Sequence, residues 1–198
     1  MKDTKEFILK TAYNLFLCSN YEAVTFSELS KSTGLTKGAI YHHFSSKEEL
    51  FKAVVDKYLI ENRIDFDSTH KSLNELIQYT VKKVKQQILN TITANPDSTN
   101  TIPLKFVSLS IEAFRHYPGY AEIGHKHFQN EIGKWNKVLQ EAIKSGEIRA
   151  NVDTEIMSSN FMALGTGIVS NIMLNGSVDY AIEMYEKQIT ELYKAIRI

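Results

Sequence analysis

Basic and hydroxyl side chains are concentrated in one short window of a chain that is otherwise balanced in charge. Between Leu29 and Lys47 there are three lysines and two histidines but no acidic residue. The whole chain of 198 residues has 23 basic and 23 acidic residues, and its formal net charge is zero. For nucleic-acid binding, a local cluster of groups that can bind phosphate matters more than the total charge. The window therefore indicates a surface that binds a nucleic-acid backbone.

Two short helices joined by a tight turn are predicted to position this window. Thr25 with Glu28 three residues later forms a capping box, which starts a helix. Gly34 lies where a left-handed residue ends that helix, and a second helix follows from Thr36. Such a pair crosses at a large angle and presents its second helix outward. The apolar residues that would close a small core behind it are Phe26, Leu29, Leu35, Ile40 and Phe44.

The outward face of the second helix is slim and polar. The side chains left on that face belong to Thr36, Lys37, Ala39, Tyr41 and His42. Gly38 keeps the beginning of the helix narrow, and the major groove of DNA is about 12 Å wide. The pattern predicts a helix that enters this groove.

At these positions the sequence resembles the TetR family of helix-turn-helix transcriptional regulators. The resemblance covers roughly the first 50 residues, and Ser30 and Thr33 stand where the family usually has alanine. Both are small, so we expect the helices to pack as in the family. The matching features are the helix start at Thr25, Gly34, Thr36-x-Gly38, Tyr41-x-His43-Phe44, Lys47 and Leu50.

The resemblance implies a set of DNA contacts. Thr25 or Ser27 would contact a phosphate through the free backbone donors at the start of their helix. Side chains of the next helix would approach base edges or the backbone, and Lys47 would bind a phosphate. His43 and Phe44 are expected to pack inward. The implied DNA-binding residues are Thr25, Ser27, Thr36, Lys37, Gly38, Ala39, Tyr41, His42 and Lys47.

The remainder of the chain is predicted to be helical. Only three prolines and nine glycines interrupt it, and apolar residues recur at helical spacing with no alternation typical of strands. We expect an all-α protein of about nine helices, in which residues 1–50 bind DNA and residues 51–198 bind a ligand and dimerise. Loops are expected at 67–70 and 95–100. The predicted helices span about 4–18, 25–34, 36–44, 46–65, 73–89, 102–117, 120–145, 153–175 and 179–196.

Aromatic and methionine side chains are dense between Phe106 and Met173. A cavity lined by them would suit a small, mostly apolar effector, although the same residues at helical spacing are also typical of an ordinary core. The candidate ligand-binding residues are Phe106, Leu109, Phe114, Phe128, Ile132, Trp135, Met162 and Met173.

Two alternatives concern the eighth helix, where Ala163 and Gly167 lie one turn apart. Small residues there would let another helix approach closely. The resemblance places a homodimer interface on the last two helices. The other interpretation is a local kink, or room for a ligand.

Other kinds of site find little support in the sequence. His125 and His127 point about 200° apart on a helix and cannot bind one metal ion together, so neither a metal nor another cofactor is expected. Cys18 lies at the end of an apolar helical face and is expected to be a small buried side chain rather than a redox sensor. No nucleophile, base and acid are suitably spaced for an enzyme that uses the Trp135 region.

The expected location is the cytoplasm, because the chain has no apolar run of about 18 residues and no signal peptide. A double-stranded DNA operator, a small-molecule effector and a second copy of the chain are the expected partners, with no membrane. A helical adaptor with a vestigial helix-turn-helix is the remaining alternative, and intact Lys37, Tyr41 and Lys47 count against it.

The expected mechanism is a population shift between two dimer geometries. In one, the two recognition helices lie about 34–36 Å apart and fit successive major grooves. The ligand favours the other geometry, and it does so only as far as it binds the two states differently. Repression is usual in the family that the sequence resembles, and activation stays open.

Overall fold

The computed structural model describes residues 2–63, 65, 70, 72–93 and 102–198, and within these ranges the chain is helical. A π-helical turn, Asp56–Ile60, extends the fourth helix. Apart from an isolated antiparallel bridge between Ile148 and Arg197, the described residues form no strand pairing. The all-α prediction is confirmed. The helices are α1 Lys2–Cys18, α2 Phe26–Thr33, α3 Lys37–His43, α4 Lys47–Val55, α5 Leu73–Thr93, α6 Ile102–His116, α7 Tyr120–Lys144, α8 Thr154–Asn175 and α9 Val178–Ile196.

The ends of α8 lie where the local sequence predicts them, whereas the fourth helix, predicted to reach about residue 65, ends at Ile60, and α5 continues to Thr93. The Asp153 carboxylate accepts hydrogen bonds from two backbone N–H groups at the start of α8. Gly176 ends that helix in the left-handed region, at φ 66°. A glycine adopts this conformation without the steric cost that a Cβ atom adds. The expected loop at 95–100, and all but His70 of the joint at 67–70, lie outside the described residues.

The first compact unit consists of α1 to α4, the π-helical turn and α6. Its core contains Phe16, Ile40, Phe44 and Phe51, each at most 2% exposed. Leu109 of α6 is fully buried in the same core. The helix-turn-helix therefore shares its core with a helix that begins almost 60 residues after α3 ends.

The second compact unit consists of α5, α8, α9 and most of α7. Trp135 and Phe161 are both 1% exposed and stack with their ring centroids 4.7 Å apart. At the start of α5, the Glu147 carboxylate accepts hydrogen bonds from the backbone N–H groups of Leu73 and Asn74, each at 2.9 Å. A distant side chain thus caps this helix.

The division of the chain into compact units differs from the predicted functional division. That boundary, after residue 50, lies inside α4, and α6 belongs to the unit that contains the helix-turn-helix. The functional assignment of residues 1–50 and 51–198 stays a prediction.

Cys18 is exposed, and the prediction of a buried side chain was wrong. Its sulphur lies 3.5 Å from the Nζ atom of Lys105. The apolar face of α1 includes Phe16 and Leu17, and each helical residue turns the side chain by about 100°. Cys18 therefore points away from the core that its neighbours enter.

Candidate nucleic-acid interface

Side-chain hydrogen bonds fix the start of α2. The Thr25 hydroxyl accepts the backbone N–H of Glu28 at 3.2 Å, and the Glu28 carboxylate accepts the N–H of Thr25 at 3.3 Å. The predicted capping box is confirmed. Ser27 follows in the first turn and is half-buried.

The turn between α2 and α3 is held by the two residues that replace the usual alanines. Ser30 donates its hydroxyl to the carbonyl of Leu35 at 2.6 Å, and Thr33 donates to the carbonyl of Leu29 at 2.6 Å. Gly34 has φ 71° and donates its N–H to the Ser30 carbonyl at 2.9 Å. The hydroxyls therefore stabilise the turn that sets the angle between the two helices.

α3 separates a buried face from an exposed one. Ile40 is fully buried and Phe44, which follows the helix, is 1% exposed, so the inward packing predicted for Phe44 is confirmed. The Thr36 hydroxyl accepts the Ala39 N–H at 3.2 Å and caps the helix. Tyr41 is 54% exposed, and its ring lies edge-on to Phe26 with the centroids 4.5 Å apart.

Most of the predicted contact residues of α3 lie at the surface. Ala39 is half-buried, and His43 also lies partly inside. Thr36, Lys37, Gly38 and His42 are exposed. An α-helix that is exposed along one side, and carries short or basic side chains there, fits the major groove.

Gly38 is not required by packing within the chain. A Cβ atom built at this position would meet only the Thr36 Oγ1 atom, at 4.0 Å. The glycine is the second residue of α3, and a glycine in a helix loses more conformational freedom on folding than an alanine does. Packing within the described chain therefore gives no reason for its narrow shape.

Lys47, at the first position of α4, is held by residues between α1 and α2. Its ammonium donates to the Glu22 carbonyl at 3.2 Å and lies 3.8 Å from the Glu22 carboxylate. It also lies 4.2 Å from the centroid of the Tyr21 ring. The lysine side chain is 23% exposed, so part of it faces solvent.

Two serines and two glutamates shape the start of α4. The Ser46 hydroxyl accepts the Glu49 N–H at 3.1 Å. The Glu49 carboxylate accepts the hydroxyl and the N–H of Ser45, at 2.6 and 2.7 Å. The Ser45 hydroxyl and then its N–H hold the pKa of Glu49 below its usual value. The pKa of Glu48 is also lowered, mainly by hydrogen bonds from its own backbone N–H and from Ser46.

Sequence reasoning did not identify Tyr21 as part of this region, because the residue follows the first predicted helix and belongs to none of the matching motifs. Burial, and then the interaction with Glu48, raises the pKa of Tyr21 to about 12. Its backbone N–H donates to the Glu112 carboxylate of α6 at 3.0 Å. A contact between residues 91 positions apart cannot be predicted from a local sequence pattern.

The predicted ligand-binding residues are distributed over both units. Phe106, Leu109 and Phe114 belong to the first, where Leu109 is buried and Phe114 is 61% exposed. In the second unit, Trp135 is buried, Ile132 and Met162 are half-buried, Phe128 is 37% exposed and Met173 is 50% exposed. Their role stays a prediction.

Two further observations concern metal binding and membrane insertion, which the sequence did not predict. Among the described residues, no group of three histidine, cysteine or carboxylate side chains is placed to hold a metal ion. No helix in the described ranges is long and apolar enough to cross a membrane.

Residues 8–54 match the family model for bacterial regulatory proteins of the tetR family. The match spans most of α1 and all of α2 and α3, and it ends within α4. The geometry described above and the family match therefore concern the same segment.

Longer similarities extend beyond that segment. The TetC protein of transposon Tn10 from Escherichia coli is 27% identical over 158 residues, which cover 80% of this chain and 74% of TetC. The transcriptional repressor NemR from Escherichia coli strain K12 is 31% identical over 87 residues, or 44% of this chain and 40% of NemR. The solved complex of SmeT with triclosan shares the fold at a TM-score of 0.67 and 17% identity, and covers 99% of this chain and 92% of SmeT.

Proposed function

We propose that this chain, which belongs to the TetR family of helix-turn-helix transcriptional regulators, is a ligand-responsive repressor that acts in the cytoplasm. It would bind a palindromic operator as a homodimer and leave the DNA when a small, mostly apolar molecule binds the C-terminal domain. Its relatives are transcriptional regulators, which are not enzymes.

The observation that carries the proposal is the exposed face of α3. Lys37 and His42 are exposed and Tyr41 is 54% exposed, while Ile40 between them is fully buried. A folded helix that keeps basic and hydroxyl side chains outward, above a buried core, can insert into a groove without rearrangement. Lys37 and Thr36 would meet base edges, and Tyr41 and His42 the backbone or a base.

The helix ends next to α3 would supply phosphate contacts. The start of α2 presents backbone N–H groups beside Thr25 and Ser27, and helix N-termini favour anions. Lys47 would add a positive charge at the start of α4.

Exposed apolar residues on the last two helices support the dimer. In the single chain Leu174 is 84% exposed, Ile156 60% and Tyr180 43%. A Cβ atom built on Gly165 or Gly167 would meet nothing within 4 Å. A second copy that covers α8 and α9 would bury these side chains and approach the glycines closely.

Two observations support the effector class. SmeT, which shares the fold, binds triclosan, and the second unit contains the stacked rings of Trp135 and Phe161. An aromatic interior of this kind suits an apolar ligand with few polar groups.

The test is protection of the DNA upstream of this protein's own gene, at several salt concentrations. Wild type should protect a roughly palindromic site, and log Kd should rise linearly with log salt concentration, with a slope of about 0.9 for each phosphate contacted. Lys37→Ala should weaken binding about tenfold or more, since a good base contact contributes about 1–3 kcal/mol.

Lys10→Ala is the matched control, because Lys10 is an exposed lysine of the same unit on a different helix, α1. It should leave the affinity nearly unchanged. If the upstream DNA gives no site, selection from genomic fragments follows, and failure of both would favour the adaptor alternative. Equal losses in Lys37→Ala and Lys10→Ala would argue against α3 as the recognition helix.

A further inference from the structure

Tyr21 joins three helices of the first unit through its ring. The residue follows α1 and is 6% exposed. The Lys47 ammonium of α4 lies 4.2 Å from the ring centroid, and the His116 ring of α6 stacks at 4.1 Å with an interplanar angle of 15°. The lysine and the histidine therefore both pack against this one ring.

The end of α6 holds Tyr21 at a second point. One Glu112 oxygen accepts the Tyr21 backbone N–H at 3.0 Å, and it also lies 3.5 Å from His116 Nε2. The Glu112 side chain is 14% exposed, and Phe51 lies edge-on to the Tyr21 ring at 4.9 Å. Both the backbone and the ring of Tyr21 are thus fixed by α6 and by the core of α4.

This arrangement restrains the Lys47 ammonium without using all of its donors. An ammonium has three N–H groups. The Lys47 ammonium donates one hydrogen bond, to the Glu22 carbonyl, and the ring attracts the cation through its negative face. The Glu22 carboxylate forms an ion pair with it at 3.8 Å, beyond hydrogen-bond distance, so the ammonium retains donors for a DNA phosphate.

We propose that Tyr21 and His116 are positioning residues for operator binding: the ring of Tyr21, backed by His116, fixes the Lys47 ammonium where it meets a phosphate. The proposal rests on the proposed function. A flexible lysine loses conformational freedom when it binds, and a lysine that is already fixed loses less. α6 therefore contributes to DNA affinity although none of its residues contacts DNA.

The test is a double-mutant cycle on operator affinity, with His116→Leu and Lys47→Ala. His116→Leu removes the stacked ring and should raise Kd about fivefold, in the range of couplings between residues that act as a unit. In the Lys47→Ala background the same change should have almost no further effect. His116→Phe keeps a flat ring on Tyr21 and should restore most of the affinity.

Tyr21→Leu and Tyr21→Phe form a parallel pair. The leucine variant has no ring for Lys47 to pack against, so its operator affinity should fall as far as that of Lys47→Ala. The phenylalanine variant keeps the ring and should bind nearly as tightly as wild type. Tyr21→Leu should also lower the slope of log Kd against log salt concentration by up to about 0.9, the value for one phosphate. Circular dichroism melts establish that each variant is folded.

The outcomes separate this inference from the proposed function. If wild type binds an operator and the effects of His116→Leu and Lys47→Ala are additive, the positioning role is wrong and the proposed function stands. If His116→Phe binds as weakly as His116→Leu, the stacked ring is not what matters, and the inference again fails. If wild type binds no operator, both fail.

Discussion

At the scale of single residues, replacement by alanine should have opposite effects on stability at Gly34 and at Gly38, although the two lie only four positions apart. Gly34 is in the left-handed region at φ 71° with open space around it, so alanine there costs only backbone strain, about 1 kcal/mol. Gly38 is helical, so alanine should stabilise the fold by about 0.5–1 kcal/mol. Urea unfolding of Gly34→Ala and Gly38→Ala should therefore give changes of opposite sign.

The same Gly38→Ala variant should bind the operator more weakly than wild type, because its new methyl group lies on the side of α3 that would face the groove. A fluorescence anisotropy titration measures this. A variant that is more stable and binds as well as wild type would contradict the placement of Gly38 against DNA.

At the scale of an element, the start of α4 should become less stable in acid. The pKa of Glu49 in the folded chain lies below its ordinary value of 4.5, so its stabilisation is present above pH 4.5 and is lost as the pH falls through the folded-state pKa. Glu49→Gln should therefore be less stable than wild type at pH 7, and the difference should shrink towards pH 3. Thermal melts across this range measure it.

Ser45→Ala is the control for that prediction, because it removes the hydroxyl that donates to Glu49 and keeps the carboxylate. It should show a weaker pH dependence than wild type in the same direction. A Glu49→Gln difference that stays constant from pH 7 to pH 3 would show that the charge of Glu49 is not responsible.

The N-terminus of α5 is capped by a side chain from beyond α7 as well as by Ser72, whose hydroxyl accepts the Glu75 N–H at 3.1 Å. Glu147 accepts two backbone N–H groups there and also the Tyr193 hydroxyl at 3.0 Å. Glu147→Ala should lower the free energy of unfolding by about 1–3 kcal/mol, since it leaves the part-buried Leu73 N–H and Tyr193 hydroxyl, and the exposed Asn74 N–H, without their acceptor. Glu191→Ala, which removes only an exposed partner of Lys194, should change it by less than about 0.5 kcal/mol. Equal losses would mean that Glu147 does not act as a cap.

At the scale of the whole molecule, dimerisation should depend on exposed apolar residues of α8. Leu174→Glu places a charge where 84% of an apolar side chain is exposed in one chain, and a buried unpaired charge is strongly unfavourable. Sedimentation velocity should show a shift towards monomer. Operator affinity should fall as well, because two half-sites are no longer bound together.

Ile198→Glu is a matched control, since Ile198 is 80% exposed but lies after the end of α9. It should sediment as wild type does. A Leu174→Glu variant that remains dimeric at micromolar concentration would argue against an interface that includes this part of α8.

Much of the fold and part of the site follow from local sequence. Thr25, Gly34, Ser46 and Asp153 act within a few residues of themselves, and their hydrogen bonds and backbone angles are set by neighbours along the chain. The capping box, the turn and the exposed face of α3 could therefore be predicted. The family resemblance could also be recognised from local sequence, because its motif lies within α2, the turn, α3 and the start of α4.

Only the tertiary structure decided which distant elements meet. α6 joins the core of the helix-turn-helix, Glu112 binds a backbone group 91 positions away, and Lys47 and His116 both pack on the Tyr21 ring. The exposure of Cys18, at the end of α1, also depended on the tertiary structure, because only the packing shows where the core ends. Helix periodicity shows that a face is apolar but not which helix covers it. The hydrophobic effect is non-directional, so any complementary apolar face can bury that face. The sequence alone determined the helix-turn-helix, and the packing of α6 determined what holds that motif in place.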